Sequence, residues 1–206
     1  MSAFRLSLLR HGETEESATR LLGQYDAALT PEGWRQLHLR WRGIERYEVT
    51  ALASSDLIRC AAFARERTAT LGVPLTVHAG WRECHFGVLD GRLRDSLSAE
   101  EAGALHEWQR APEYASLPGG ETWHGFQARV QRTTEQWLID SEGGHRVLLT
   151  HGGVIRALLV GWLGMPANRH AQFWINHAAC VSLWWDDGYP PILLGIDNTL
   201  PTLAGP

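Results

Sequence analysis

Two apolar runs in this chain end in the same way. LSLLRHG closes on Arg10-His11-Gly12, and VLLTHGG closes on His151-Gly152-Gly153. Each run reads as a short buried strand. In open α/β sheets, ligands sit outside the carboxyl ends of strands. The two endings therefore constrain the chain to a layered α/β fold with one site where they meet. Glycine after each histidine lets backbone approach a ligand closely, and Gly152 opens a helix whose N-terminal amides favour an anion.

Arg10 and His11 are adjacent cationic groups that repel and cost desolvation energy. An anion must complete them. A third strand end, Ala53-Ser54-Ser55-Asp56, leads into a helical turn carrying Arg59, whose planar fork suits phosphate oxygens. Two arginines, two histidines and a helix N-terminus make one anion pocket. Arg10 should hold His11 neutral, leaving an imidazole nitrogen able to attack phosphorus.

The pattern along the chain predicts strands at Phe4 to Leu9, Val49 to Ala53, Pro74 to His78 and Arg146 to Thr150, with a terminal hairpin of Ala178 to Trp185 and Ile192 to Ile196 turning at Asp186-Asp187-Gly188. Helices are predicted from Thr30-Pro31, with Trp34, Leu37, Trp41 and Ile44 at helical spacing; from the capping residues Ser54-Ser55-Asp56 to about Thr70; and over Ala99–Arg110, Thr122–Ile139 and Gly152–Leu163. Alternating strands and helices imply a three-layer α/β sandwich, a mostly parallel central sheet flanked by helices. Residues 1–206 are expected to form one domain. Glycines and prolines from about Trp81 to Gly120 mark an excursion from the sheet, a small lid at about 88–121.

Composition narrows the chemistry. The net charge of −4 gives no global attraction for nucleic acid or anionic membranes. All 19 basic residues are arginines, which excludes a Walker A, Schiff-base or general-base lysine. Three scattered cysteines, Cys60, Cys84 and Cys180, suit reduced thiols and a cytoplasmic setting. The start, MSAFRLSLLRHG, is too polar for a signal peptide, and Ala157 to Met165 is too short for a membrane span. Cys84-His85 lacks a second ligand pair, so neither a metal nor another cofactor is expected.

The stretches LLRHGET, GQYDAALTPEG, SSDLIRCAAFA, RECHFGVLDGR, PGGET and LLTHGGVIRALL resemble, in order, the histidine phosphatase superfamily in its phosphoglycerate-mutase-like branch. The resemblance implies that His11 becomes phosphorylated and that Arg10, Arg59 and His151 hold the phosphoryl oxygens. It implies that Glu83 is the general acid for the leaving alcohol and then the base for water. Gln24, Gly152 and Ser17 lie where the family contacts phosphate or substrate, Ser17 standing where the family often has Asn. The other large branch carries His-Asp where this chain has His151-Gly152, which disfavours an acid-phosphatase or phytase reading.

The implied activity is metal-independent phosphomonoester hydrolysis through a phosphohistidine. RECHFGVLDGR, the compact lid and PGGET look most like α-ribazole phosphatases of cobalamin assembly. Phosphoglycerate mutase, a broad-specificity phosphatase and a non-catalytic phosphate-ligand sensor are the alternatives. The expected partner is a small phosphorylated metabolite, not nucleic acid or a membrane; homodimerisation is left open. The remaining eight histidines, His177 among them, read as structural or solvated. Trp108 and Trp123 read as anchors of the lid, with an aromatic wall for a flat substrate as the alternative. Arg10 and Arg59 are the only cations assigned to the pocket. A weakly charged, flat leaving group such as α-ribazole is therefore expected to be preferred over phosphoglycerate.

Overall fold

The first strand, β1 (Phe4–Arg10), is buried almost throughout and hydrogen-bonds on both sides. A computed structural model describes residues 3–186 and 188–200. In chain order it contains β1, α1 (Pro31–Ile44), β2 (Ala51–Ser54), α2 (Ile58–Leu71), β3 (Leu75–Val77), α3 (Ala99–Arg110), α4 (Trp123–Asp140), β4 (His145–Thr150), α5 (Gly152–Trp162), β5 (Cys180–Trp185) and β6 (Ile192–Asp197). The strands form one sheet in the order β3-β2-β4-β1-β5-β6. β3, β2, β4 and β1 run parallel; β5 is antiparallel to β1, and β6 to β5.

Helices cover both faces. Leu6 and Leu8 of β1 face a cluster with Phe126, Val130 and Trp137 of α4 and Val154, Ile155 and Leu158 of α5. Leu9 faces the opposite cluster, with Leu37, Trp41 and Ile44 of α1 and Cys60, Phe63 and Ala64 of α2. The period-two alternation of the strand thus feeds two cores. This is the mixed α/β architecture expected from the sequence.

α1 starts as predicted: Thr30 Oγ1 accepts from Gly33 N at 2.9 Å and Pro31 takes the first helical position. The capping expected at α2 does not occur. Leu57 occupies the cap without a side-chain bond. The Ile58 N–H donates instead to Asp26 Oδ1 at 2.7 Å, from a loop distant in sequence. Ser54 fails as a cap because its hydroxyl donates to the Ser55 carbonyl; Asp56 pairs with Arg82.

Residues 87–122 hold short 3-10 turns at Gly87–Leu89 and Arg94–Ser96, followed by α3, which opens on a capping box of Ser98 and Glu101. Trp108 packs edge-on to Phe86, with ring centroids 5.5 Å apart; Trp123 stands 4.9 Å from the His170 ring. Both tryptophans are buried, which fits anchoring. Of the predicted hairpin turn, Asp187 lies outside the described residues, as do Met1 and Ser2 at the start of the chain. No helix among the described residues is long and apolar enough to cross a membrane.

Candidate active site

Strand register brings the two histidine endings together. Arg10 of β1 is opposite Thr150 of β4, so the chain leaves both strands at the same level. The His11 N–H donates to the Thr150 carbonyl at 2.9 Å. The imidazoles of His11 and His151 meet edge to face, with centroids 5.3 Å apart. β2 flanks β4 on its other side, which delivers Ser55 and, one turn later, Arg59 to the same end of the sheet.

His11 Nδ1 lies 2.7 Å from the Gly12 carbonyl. A carbonyl only accepts, so the proton sits on Nδ1 and Nε2 keeps its lone pair. The His11 ring is held well below its ordinary pKa, first by burial, then by Arg59 and then by Arg10. Arg10 does act in the expected direction, but desolvation is the largest cause and Arg59 the second.

His151, which the family resemblance implies holds phosphoryl oxygens, has both ring nitrogens engaged by protein partners instead. Arg59 Nε donates to Nδ1 at 3.2 Å, so Nε2 carries the proton and donates to Ser55 Oγ at 2.9 Å. Its pKa is also well below the usual value, from burial and then from Arg59 and His11. Ser55, which sequence reasoning treated only as a cap, orients this histidine.

The two arginines are anchored with donors to spare. Arg10 Nη1 donates to the Ile175 carbonyl at 2.6 Å, while its Nε is buried without a partner. Burial lowers its pKa to about 10, so it stays charged at neutral pH. Arg59 is 1% exposed; its Nη1 and Nη2 donate to the carbonyls of Tyr25 and Gly23, each at 2.7 Å. Each Nη carries two hydrogens, so one on each remains for an anion.

Glu83 is held at the first turn of α5, where Gly153 lies two residues after His151. Its carboxylate accepts from Cys84 N at 2.9 Å and from Gly153 N at 2.8 Å. Gln24 is nearby: its Nε2 reaches the Glu83 carbonyl at 3.4 Å, and its backbone N–H donates to Asp90. Gly152 lies against Arg10, a Cβ there standing 3.4 Å from Arg10 Nε. Ser17 is not drawn into the cluster: its hydroxyl donates to the Thr14 carbonyl at 3.0 Å, committed to a local turn.

The glycines at the two strand ends also answer to close protein contacts. Gly12 is required by protein, because a Cβ there would stand 2.2 Å from the Gly33 carbonyl oxygen of α1. Gly153, rather than Gly152, opens the space that Glu83 fills.

Sequence reasoning missed three contributors. His177, set aside as structural or solvated, lies with its ring tilted 5.6 Å from the His11 ring, and its pKa is lowered to about 4 by burial and then by Arg10. The Ile175 carbonyl holds Arg10. The charge of Arg156, on α5, also acts on Arg10 and lowers its pKa. The first two depend on β5 pairing beside β1, invisible in local pattern; Arg156 sits four residues after Gly152, a spacing that places it on the same helix face.

The chain is similar to known proteins along most of its length. A profile of the histidine phosphatase superfamily (branch 1) matches residues 6–198. A Yersinia pestis protein named "Probable phosphoglycerate mutase GpmB" is 33% identical over 84% of this chain and 80% of its own length. A mycobacterial glucosyl-3-phosphoglycerate phosphatase of known structure superposes with TM-score 0.84 at 26% identity, covering 96% of this chain and 100% of that one. An α-ribazole phosphatase from Shigella flexneri superposes with TM-score 0.83 at 23% identity, covering 95% and 96%.

Proposed function

The chain belongs to branch 1 of the histidine phosphatase superfamily, and from that membership we propose that it is a metal-independent phosphomonoesterase working through a phosphohistidine at His11. One observation carries the reading: His11 is buried and neutral, its proton fixed on Nδ1 and its Nε2 without a protein hydrogen bond among the described residues, with the charges of the anchored Arg59 and Arg10 acting on the ring. A bare imidazole nitrogen is a nucleophile, and the guanidinium donors supply the charge that a phosphoryl group needs.

His11 Nε2 attacks phosphorus, the N–P bond forms, and the bond to the leaving oxygen breaks. Glu83, carrying a proton in this step, gives it to the departing alkoxide. Glu83 then takes a proton from water as the water oxygen attacks phosphorus and the N–P bond breaks. Its carboxylate, held by two backbone N–H groups, is suited to the second step. Arg10 and Arg59 neutralise the equatorial oxygens in both steps. His151, fixed by Arg59 and Ser55, walls the phosphoryl site. Gln24 and Gly152 border the substrate; Ser17 is given no role.

A second reading, phosphoglycerate mutase, has the printed name of the 33% identical relatives behind it. In that case the phosphohistidine returns its phosphoryl group to another hydroxyl rather than to water. The α-ribazole phosphatase, at 23% identity, supports the fold alone, so α-ribazole phosphate remains one ester to assay among others.

The test is acid- and alkali-quench labelling with a ³²P-labelled phosphomonoester. Acid-labile, alkali-stable label on His11, abolished with turnover in His11→Ala, is the expected result. Label on Ser or Asp would overturn the mechanism. In H₂¹⁸O, hydrolysis puts one ¹⁸O into the released phosphate; turnover that keeps all phosphorus esterified would establish the mutase.

A further inference from the structure

We infer that the chain carries a second binding site, for a small organic anion, in the cavity between the end of α1 and the β5–β6 hairpin. The site lies at the opposite end of β1 from His11, so it takes a ligand of its own and not a part of the phosphoester.

The cavity encloses about 620 Å³, within the range of small-molecule sites. Its floor follows from strand alternation. Leu9 of β1 packs under α1, so Ser7 and Arg5 turn to the same face. Ser7 is opposite Ser182 of β5, and Ser182 is opposite Gly195 of β6. A row of small residues therefore crosses three strands where the sheet would otherwise carry a core. Ser7 precedes His11 by four residues, about 13 Å along the strand.

Two glycines open the space. Gly43, in the last turn of α1, and Gly195 both line it, and a Cβ on either would meet no protein atom within 4 Å. Neither has a positive φ. Glycine in a helix or strand is unfavourable by up to about 1 kcal/mol relative to alanine, and here no turn or protein contact requires it. What the two glycines provide is room.

The charges around that room are mostly of one sign. Arg5, Arg40 and Arg46 line it against one carboxylate, Asp197, in a chain whose net charge is −4. Arg40 is 3% exposed and directs its donors to Asp197 and to the carbonyls of Ala178 and Thr199. Arg5 lies over the Tyr47 ring, 4.1 Å from its centroid. Arg46 has no ion-pair partner among the described residues. His145 adds no charge: Nδ1 donates to the Tyr47 carbonyl at 3.4 Å, Nε2 accepts from Ser7 Oγ at 2.9 Å, and burial lowers its pKa. Ile44, Leu194 and Ile196 supply apolar wall. Cations over a polar floor with apolar sides fit a carboxylate, sulfonate or phosphate head on a compact apolar body.

The probe is naphthalene-2-sulfonate, an aryl anion with no ester to cleave, titrated by calorimetry against the full chain. It should bind saturably, at least about 10-fold more tightly than the uncharged naphthalene-2-methanol. Arg46→Gln should weaken it by about 2- to 10-fold. Gly195→Leu fills the cavity with a side chain that a strand accepts and should abolish binding; both variants should melt close to wild type. Arg40 stays in place throughout, because its Nε holds the Ala178 carbonyl at 2.8 Å, beside His177. Arg59→Ala, which takes a cation from the His11 pocket, should bind the probe as wild type does. Equal affinity for the two naphthalenes, or no saturable binding, would overturn the inference on the wild-type protein alone. So would binding lost in Arg59→Ala but kept in Gly195→Leu, which would place the probe in the His11 pocket instead.

Discussion

The Gly153 N–H donates to Glu83 Oε2 at 2.8 Å, and a Cβ on Gly153 would stand 2.2 Å from Oε1 of the same carboxylate. The first turn of α5 is therefore shaped around an acid from another part of the chain. Gly153→Ala tests this directly. Alanine in a helix is favoured over glycine by about 1 kcal/mol, so Tm should hold or change little. Displaced from its amide, Glu83 should lose its position, and turnover of alkyl phosphates should fall by about 10²- to 10⁴-fold. Unchanged kinetics in Gly153→Ala would mean that this contact does not position a catalytic group.

Glu83→Gln removes the proton donor while keeping the shape. An alkoxide leaving group needs that proton; nitrophenolate does not. Single-turnover phosphorylation of His11 should slow by about 10²- to 10⁴-fold with an alkyl phosphate and far less with nitrophenyl phosphate. Equal losses on the two esters would exclude Glu83 as the acid.

Gly12→Ala should behave in the opposite way to Gly153→Ala. Its Cβ would run into the Gly33 backbone, which cannot rotate aside. A loss of stability of about 1–3 kcal/mol, read by urea denaturation, is expected as β1 and α1 move apart. Wild-type stability in this variant would show that α1 can shift without cost.

Much of this is legible in the sequence. Periodicity and caps located α1, α3 and α4 closely, because Thr30, Ser98 and Thr122 cap locally. The strand endings announced His11, His151, Arg10 and Arg59, since apolar runs that stop on charged residues have few other uses. The start of α2 was misread because its first amide is satisfied by Asp26, from across the fold. His177 was missed for the same kind of reason: it reaches His11 only because β5 pairs beside β1, with Leu9 opposite Cys180. Ser17 looked available by position, yet its hydroxyl is taken by the carbonyl three residues back. Local pattern reports what neighbours in sequence can satisfy; contacts across the sheet need topology.

Arginine takes the place of a metal in the proposed chemistry, so activity should survive exhaustive chelation with EDTA. Vanadate should inhibit by adopting five-coordinate geometry between His11, Arg10 and Arg59, and Arg59→Ala should lose most of that inhibition. Restoration of activity by zinc or magnesium after chelation would contradict the assignment of charge neutralisation to these guanidinium groups.

The histidines also set how stability depends on pH. His11 and His151 are held well below their ordinary pKa, and His177 is lowered to about 4, burial being the largest cause in each. In the unfolded chain each returns to about 6.5. Between pH 6.5 and 4 the unfolded state therefore binds protons that the folded state does not, so stability falls as the pH drops through that window. His145 and His170, also lowered by burial, add to the slope. Each proton contributes about 1.4 kcal/mol per pH unit. His177→Gln should flatten the dependence of unfolding free energy on pH by about one proton's worth between pH 5 and 6, measured by urea titration in phosphate-free buffer. A dianion in the pocket works the other way, favouring protonated neighbours, so saturating phosphate should also flatten the wild-type curve. If wild type and His177→Gln give parallel curves, His177 is not held neutral beside His11, and the crowding of cationic groups at this end of the sheet is relieved by solvent instead.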